Sequence, residues 1–355
     1  MPRPKSPECE YIENKLKENP HLRFNDLVKF DDYTFSIENN FFNTVKSRFK
    51  RCALEAVFEN KPLPASSDYE YSEEMQKLIP SLDPYFAQTK NFDTIINLVG
   101  NLSRIDNVNI RLVGPAGCGK TSFAMQYAAK NQLPCLVMDC ANVREPRDWF
   151  GYRKLDPVTK DIIWHESLFV RVLETPHSVI ILDEINRVSP LIINTLIPLM
   201  DHRRCTYLEE AQKQISCAEG VTFWASINEG SQFTGTIPLD EAVADRFNLV
   251  VECKFLPADE EKTVLHKKTG LDLITCEKLV DVANQVRIKS QTDGTDSFSK
   301  PISTRMLESA ARSFKAGGAK TLPFTLLNHF SDFGSGHGER ASLRQLLVGK
   351  FGSID

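Results

Sequence analysis

The sequence predicts an α/β protein: a doubly wound, five-stranded parallel sheet followed by a small all-helical region. Three observations carry this. Five short runs are apolar throughout: NIRLV (109–113), PCLVMD (134–139), SVIILD (178–183), VTFWASI (221–227) and NLVVECK (248–254). Strands covered on both faces by helices read this way, because neither face needs polar residues. Helical patterns separate the runs, and strand–helix alternation implies parallel crossovers. After Pro257 the apolar runs stop, and ADEEKTVLHKKTG, LITCEKLVDVANQV and STRMLESAARSFKAG follow as helical patterns.

Composition bounds the function. The chain has 355 residues, 41% apolar and 25% charged, with 43 basic against 47 acidic side chains and a net charge of −4. Those values exclude a disordered polyelectrolyte and argue against wholesale nucleic-acid adhesion, which shows as strong basic excess. At roughly 150 residues per domain the length implies two or three domains. No run of about 18 apolar residues reads as a membrane span, so no membrane role is expected. The start, MPRPKSPECEYIENKLK, has no apolar signal-peptide core. Nine cysteines without a CxxC pair fit free thiols in a reducing compartment, and the expected location is cytoplasmic.

In chain order, residues 1–58 read as an N-terminal helical domain. Seven of the 22 phenylalanines fall there, which argues for a small separate core. Its last pattern, SIENNFFNTVKSRFKRCAL, sets Phe41, Phe42, Val45 and Phe49 on one face and Lys46, Arg48, Lys50 and Arg51 on the other. The outline resembles a helix-turn-helix whose basic face would contact DNA. The competing reading is an adaptor with a solvated face, and ten basic against ten acidic residues in 1–60 favour it. Residues 59–89, with four prolines between 59 and 85, read as a linker. Residues 90–256 form the α/β core, and 257–355 the helical region and tail.

The chemistry sits at the ends of the apolar runs. Gly114-Pro115-Ala116-Gly117-Cys118-Gly119-Lys120-Thr121, with Ser122 beyond, matches GxxxxGK[ST]. It follows one apolar run and opens a helical stretch, as the motif requires. Glycines let backbone N–H groups turn toward a phosphate chain, and the helix N-terminus adds its positive dipole end. Lys120 is expected to reach the β and γ phosphates, and Thr121 to bind Mg²⁺. The apolar run Val179-Ile-Ile-Leu182 ends in Asp183-Glu184: Asp183 is the expected Mg²⁺ holder, and Glu184 the group that polarises the attacking water. The run at 221–227 ends in Asn228, an amide placed to meet the γ-phosphate.

Taken together, the phosphate loop, DEINR (183–187), the Asn-ended strand, GTIPLDEAVADRF (235–247) and STR (303–305) resemble the AAA+ P-loop NTPases. The closer likeness is to the MoxR branch with CbbQ, NorQ and CobS. The resemblance covers roughly residues 90–350. It implies a five-stranded α/β domain plus a helical lid, ATP and Mg²⁺ as ligands, and homo-oligomeric, hexameric rings with ATP between subunits. It implies that Arg246 is the finger entering the neighbour's site, Arg305 the lid arginine sensing γ-phosphate, and Asn228 the first sensor. It also places a hairpin at 205–220. Residue by residue, the alternatives are an Arg246 salt bridge to Asp245 or Glu241 and an exposed Arg305.

The stretch 143–165 follows the second run, where a ring faces its pore. Trp149, Phe150 and Tyr152 are pore-loop candidates that would grip a strand by stacking, against a reading in which Trp149 and Phe150 pack beneath a hairpin. The implied function is an ATP-hydrolysing ring motor or chaperone that remodels a partner protein or metalloenzyme, with a von Willebrand-type partner. The alternatives are a DNA-directed motor, or a nucleotide-gated scaffold with little turnover.

Overall fold

The computed structural model describes residues 70–87, 90–103, 107–228, 239–291, 297–331 and 338–354. The predicted N-terminal domain, with Lys46, Arg48, Lys50 and Arg51, lies outside them. Strands β1 (Val108–Gly114), β2 (Cys135–Asp139), β5 (Val179–Asp183), β8 (Thr222–Asn228) and β9 (Leu249–Glu252) form one sheet in the order β2-β5-β8-β1-β9, every pair parallel. Two antiparallel hairpins stand apart from it: β3 (Gly151–Leu155) with β4 (Ile162–Glu166), and β6 (Cys205–Leu208) with β7 (Lys213–Ser216). The second falls where the family resemblance placed one.

Side chains alternate between two cores across the sheet. Ile180, Leu182, Phe223 and Ala225 face one, together with Phe169 and Leu199. Val179, Ile181, Trp224, Ile110 and Leu112 face the other, with helices α1 (Lys90–Leu102) and α2 (Lys120–Lys130). Both-sided burial explains why the runs behind β1, β5 and β8 lack alternation. The edge strands differ: Val137 of β2 and Val250 of β9 are exposed, since an edge is covered less completely. The helix α3 (Leu168–Leu173) buries its apolar face beneath β2 and β5.

The helices α4 (Ala258–Thr269), α5 (Leu273–Lys289), α6 (Thr304–Gly317) and α7 (Glu339–Phe351) follow the sheet. Their buried residues, from Leu265 to Ile354, make a third core of their own. Gly270, at φ 66°, ends α4 in the left-handed conformation, and Asp272 caps α5 through Thr275 N.

Within the stretch expected to be a linker, residues 71–78 are docked instead. Met75 is buried in the first sheet core, Tyr71 donates to the Pro176 carbonyl at 3.3 Å, and Leu78 O accepts from Cys135 N. Polar composition concealed this because the apolar contacts come from three scattered side chains, Tyr71, Met75 and Leu78. No described helix is long and apolar enough to cross a membrane.

Candidate nucleotide site

The site lies at the carboxyl ends of β1, β5 and β8, where the connection leaving β1 runs toward β2 and that leaving the adjacent β8 runs the other way, to β9. Open α/β sheets gather ligands there. Register places the groups: Gly114 of β1 is level with Asn228 of β8, and Leu182, one residue short of Asp183, is level with Ala225.

The loop from Gly114 to Gly119 turns through left-handed backbone at two glycines. Gly119, at φ 96°, precedes α2, and a Cβ there would meet no atom within 4 Å. Its glycine is needed for conformation alone. Gly117, at φ 72°, is also tight: a Cβ would lie 2.7 Å from Ser303 Cβ and 3.8 Å from Arg305 Cβ. The loop therefore presses against the start of α6. No side chain caps α2, so its first N–H groups remain turned to the loop's concavity, as an anion requires.

Lys120 is buried and donates to the carbonyls of Gly114 and Pro115, both at 2.8 Å, and to Asn228 Oδ1 at 2.7 Å. Burial pulls its ammonium pKa below the ordinary lysine value. An anion arriving here would restore that charge balance. Thr121 Oγ1 donates to Asp183 Oδ1 at 2.9 Å. Ser226 Oγ donates to the same oxygen at 2.5 Å and accepts from Glu184 N at 2.9 Å. Glu184 adopts left-handed backbone at φ 54°. One of its carboxylate oxygens accepts from Asn228 Nδ2 at 2.6 Å, and the other pairs with Arg187 Nε. One network thus runs Thr121–Asp183–Ser226–Glu184–Asn228–Lys120.

A hydroxyl and a carboxylate side by side are hard oxygen donors suited to Mg²⁺, which keeps several waters and phosphate ligands of its own. With the uncapped helix end and a buried ammonium held only by neutral acceptors, the residues fit a nucleotide phosphate chain and its cation.

The other expected residues are distributed as follows. Arg305 is exposed, the second residue of α6, beside the loop at Gly117. Arg246 pairs with Asp245 at 3.1 Å, and its Nε is buried without a partner among the described residues. Pro115, Ala116, Cys118 and Ser122 lie in or beside the loop, and burial raises the Cys118 thiol pKa.

The pore-loop expectation needs correction for two of its three residues. Trp149 and Phe150 are buried, with ring centroids 5.6 and 6.2 Å from Phe169. A one-turn helix at Pro146–Phe150, held by reciprocal capping of Glu145 and Asp148, turns both rings inward. Only Tyr152 is exposed, beside His165 at 5.2 Å. Arg153 is tied to the other hairpin through the Glu210 carbonyl at 2.9 and 2.7 Å.

Two participants escaped sequence reasoning. Ser226 was hidden in an apolar run, although its place two residues before Asn228 puts it on the same strand face. Arg187 stood in the quoted DEINR without a role.

Sheet order and loop geometry define a P-loop NTPase fold. Residues 109–247 match the model of the AAA domain, dynein-related subfamily, and 261–326 that of the CbbQ/NirQ/NorQ C-terminal region. BssE of Thauera aromatica, described as a candidate chaperone, is 33% identical over 242 residues, 68% of this chain and 81% of its own. An uncharacterized Staphylococcus epidermidis protein is 29% identical over 46% of this chain and 62% of its own. A RuvB variant from Thermotoga maritima superposes with a TM-score of 0.42 at 14% identity, over 78% of this chain and 86% of its own. The chain belongs to the AAA+ family, in its MoxR/CbbQ-like branch.

Proposed function

We propose that this protein hydrolyses ATP with Mg²⁺ and uses the energy, as a cytoplasmic homo-oligomeric ring, to remodel a partner protein. The observation that carries the reading is the continuous network from Thr121 to Lys120 through Asp183, Ser226, Glu184 and Asn228. Bound MgATP would supply the phosphoryl group and the cation that neutralises its charge. Lys120 leaves its carbonyl partners and holds the phosphates. Thr121 and Asp183 hold the cation. Glu184 orients the attacking water and takes its proton, and Asn228 positions that water against the γ-phosphate. Arg246 acts on the neighbouring subunit's nucleotide and Arg305 on its own. Free thiols at all seven described cysteines support a reducing compartment.

The remodelling step draws support from membership of the branch and from BssE's description as a candidate chaperone. The partner is a protein of von Willebrand type. Steady-state hydrolysis by wild type, Lys120→Ala and Glu184→Gln tests the chemistry: both variants should fall to background. Mixing Arg246→Ala with Glu184→Gln subunits should restore turnover, because some interfaces then combine an intact Glu184 with an intact Arg246. A mixture no faster than either variant alone would sink the ring arrangement. Stimulation by duplex DNA and not by a client protein would favour the DNA-motor alternative.

A further inference from the structure

The helical region contains a buried ion pair outside the nucleotide site. Glu261 of α4 is fully buried, and Arg287 of α5 holds it bidentately at 2.6 and 2.9 Å. Arg287 also donates to the Ile302 carbonyl at 2.8 Å and to Asn284 at 3.0 Å. Its guanidinium stacks on Phe255, 3.9 Å from the ring centroid, in the connection between β9 and α4. Thr304, the first residue of α6, donates to Glu261 Oε1 at 2.6 Å. Ser303 caps the same helix and abuts Gly117, and Arg305 stands next. A buried pair of this kind is weak evidence of stabilisation, since desolvation offsets most of its attraction. What it does provide is geometry, because every partner is directional.

We propose that Glu261 and Arg287 are positioning residues. Through Thr304 they fix the start of α6, and so set Arg305 over the phosphate loop, while the Phe255 stack ties that placement to the strand-to-helix connection. The inference rests on the ATPase reading and on Arg305 meeting nucleotide. Neither Glu261 nor Arg287 touches the nucleotide; both act through Arg305.

The test is a double-mutant cycle on the full-length protein. Thr304→Val removes one hydroxyl without burying an unpaired charge, so folding is retained. It should lower kcat/KM for ATP about tenfold, the scale of one charge-assisted hydrogen bond. In an Arg305→Ala background the same change should cost nothing more, because the residue through which it acts is gone. Phe255→Leu should behave the same way. An equal loss in both backgrounds, or no loss in wild type, overturns the proposal. Calorimetric binding of a non-hydrolysable MgATP analogue, which keeps the γ-phosphate, gives a readout independent of turnover: Thr304→Val should weaken it in wild type and not in Arg305→Ala. Turnover unaffected by Glu184→Gln would instead overturn the ATPase reading, leaving the binding cycle to judge the positioning role.

Discussion

Asn228 shows how much one side chain carries here. Its side-chain oxygen accepts from Lys120 and its amide nitrogen donates to Glu184, so the proposed phosphate-binding lysine and the proposed base share a partner. A nucleotide that takes Lys120 away also frees the Asn228 oxygen. Ser226 has a quieter part, fixing the Asp183 carboxylate and the Glu184 backbone together. Ser226→Ala is expected to lower kcat about tenfold while leaving the Kd for MgADP within about twofold, the pattern of an interaction needed in the transition state alone. Hydrolysis kinetics beside calorimetry check this. Arg187→Ala should act in the opposite direction. Freeing a Glu184 oxygen from a partly exposed ion pair worth up to about 1 kcal/mol should raise turnover by up to about fivefold. Lys120, Thr121, Asp183, Glu184 and Asn228 were legible because each stands at a fixed offset from an apolar run. Ser226 and Arg287 were not. A serine in a strand and an arginine in a helix announce nothing until the fold brings partners 43 and 26 residues away.

Among the elements, the strands were legible to within a residue or two, because burial on both faces leaves an unbroken apolar run. The edges β2 and β9 read the same way in the sequence although they are covered less completely, with Val137 and Val250 exposed. The stretch 143–165 was harder: Trp149, Phe150 and Tyr152 read alike as aromatics, and only the one-turn helix before β3 decides which turn inward. Trp149→Ala should therefore cost about 3–5 kcal/mol of stability, measured by denaturant unfolding. Tyr152→Ala should leave stability within about 0.5 kcal/mol. If the exposed hairpin handles the client, Tyr152→Ala should also lose remodelling while keeping ATP turnover. Full remodelling by that variant would remove the hairpin from the grip. Lys213, bridging Glu166 and Glu174, and Arg153, bound to the Glu210 carbonyl, tie the two hairpins to each other and to the end of α3. The pair should therefore move as one piece.

For the molecule as a whole, the phosphate loop lies between the sheet and the start of α6, so nucleotide should bind both parts at once. Ligand that binds only the folded state stabilises by about 2.7 kcal/mol at 100 times its Kd. MgATP should accordingly raise the Tm of Glu184→Gln, which holds it unhydrolysed, by several degrees, and should leave Lys120→Ala unmoved. Differential scanning fluorimetry decides between these outcomes. The two-part architecture was visible in the sequence as the change of pattern after Pro257, and we propose the domain boundary there. The docking of residues 71–78 on the core was not visible, because three scattered side chains, Tyr71, Met75 and Leu78, in a polar stretch do not form a pattern.

The buried thiols add a use of their own. Burial pushes Cys135 up to about 12 and Cys217 and Cys276 to about 11. At pH 8 the thiolate fraction at Cys276 is then on the order of a thousandth, and a thiol that is not ionised does not alkylate. Labelling must wait for the surrounding structure to open. Cys135 reports on the sheet and Cys276 on the helical core, so the molecule carries two clocks. If their labelling rates converge when MgATP is added, the nucleotide has made the two cores open as one unit.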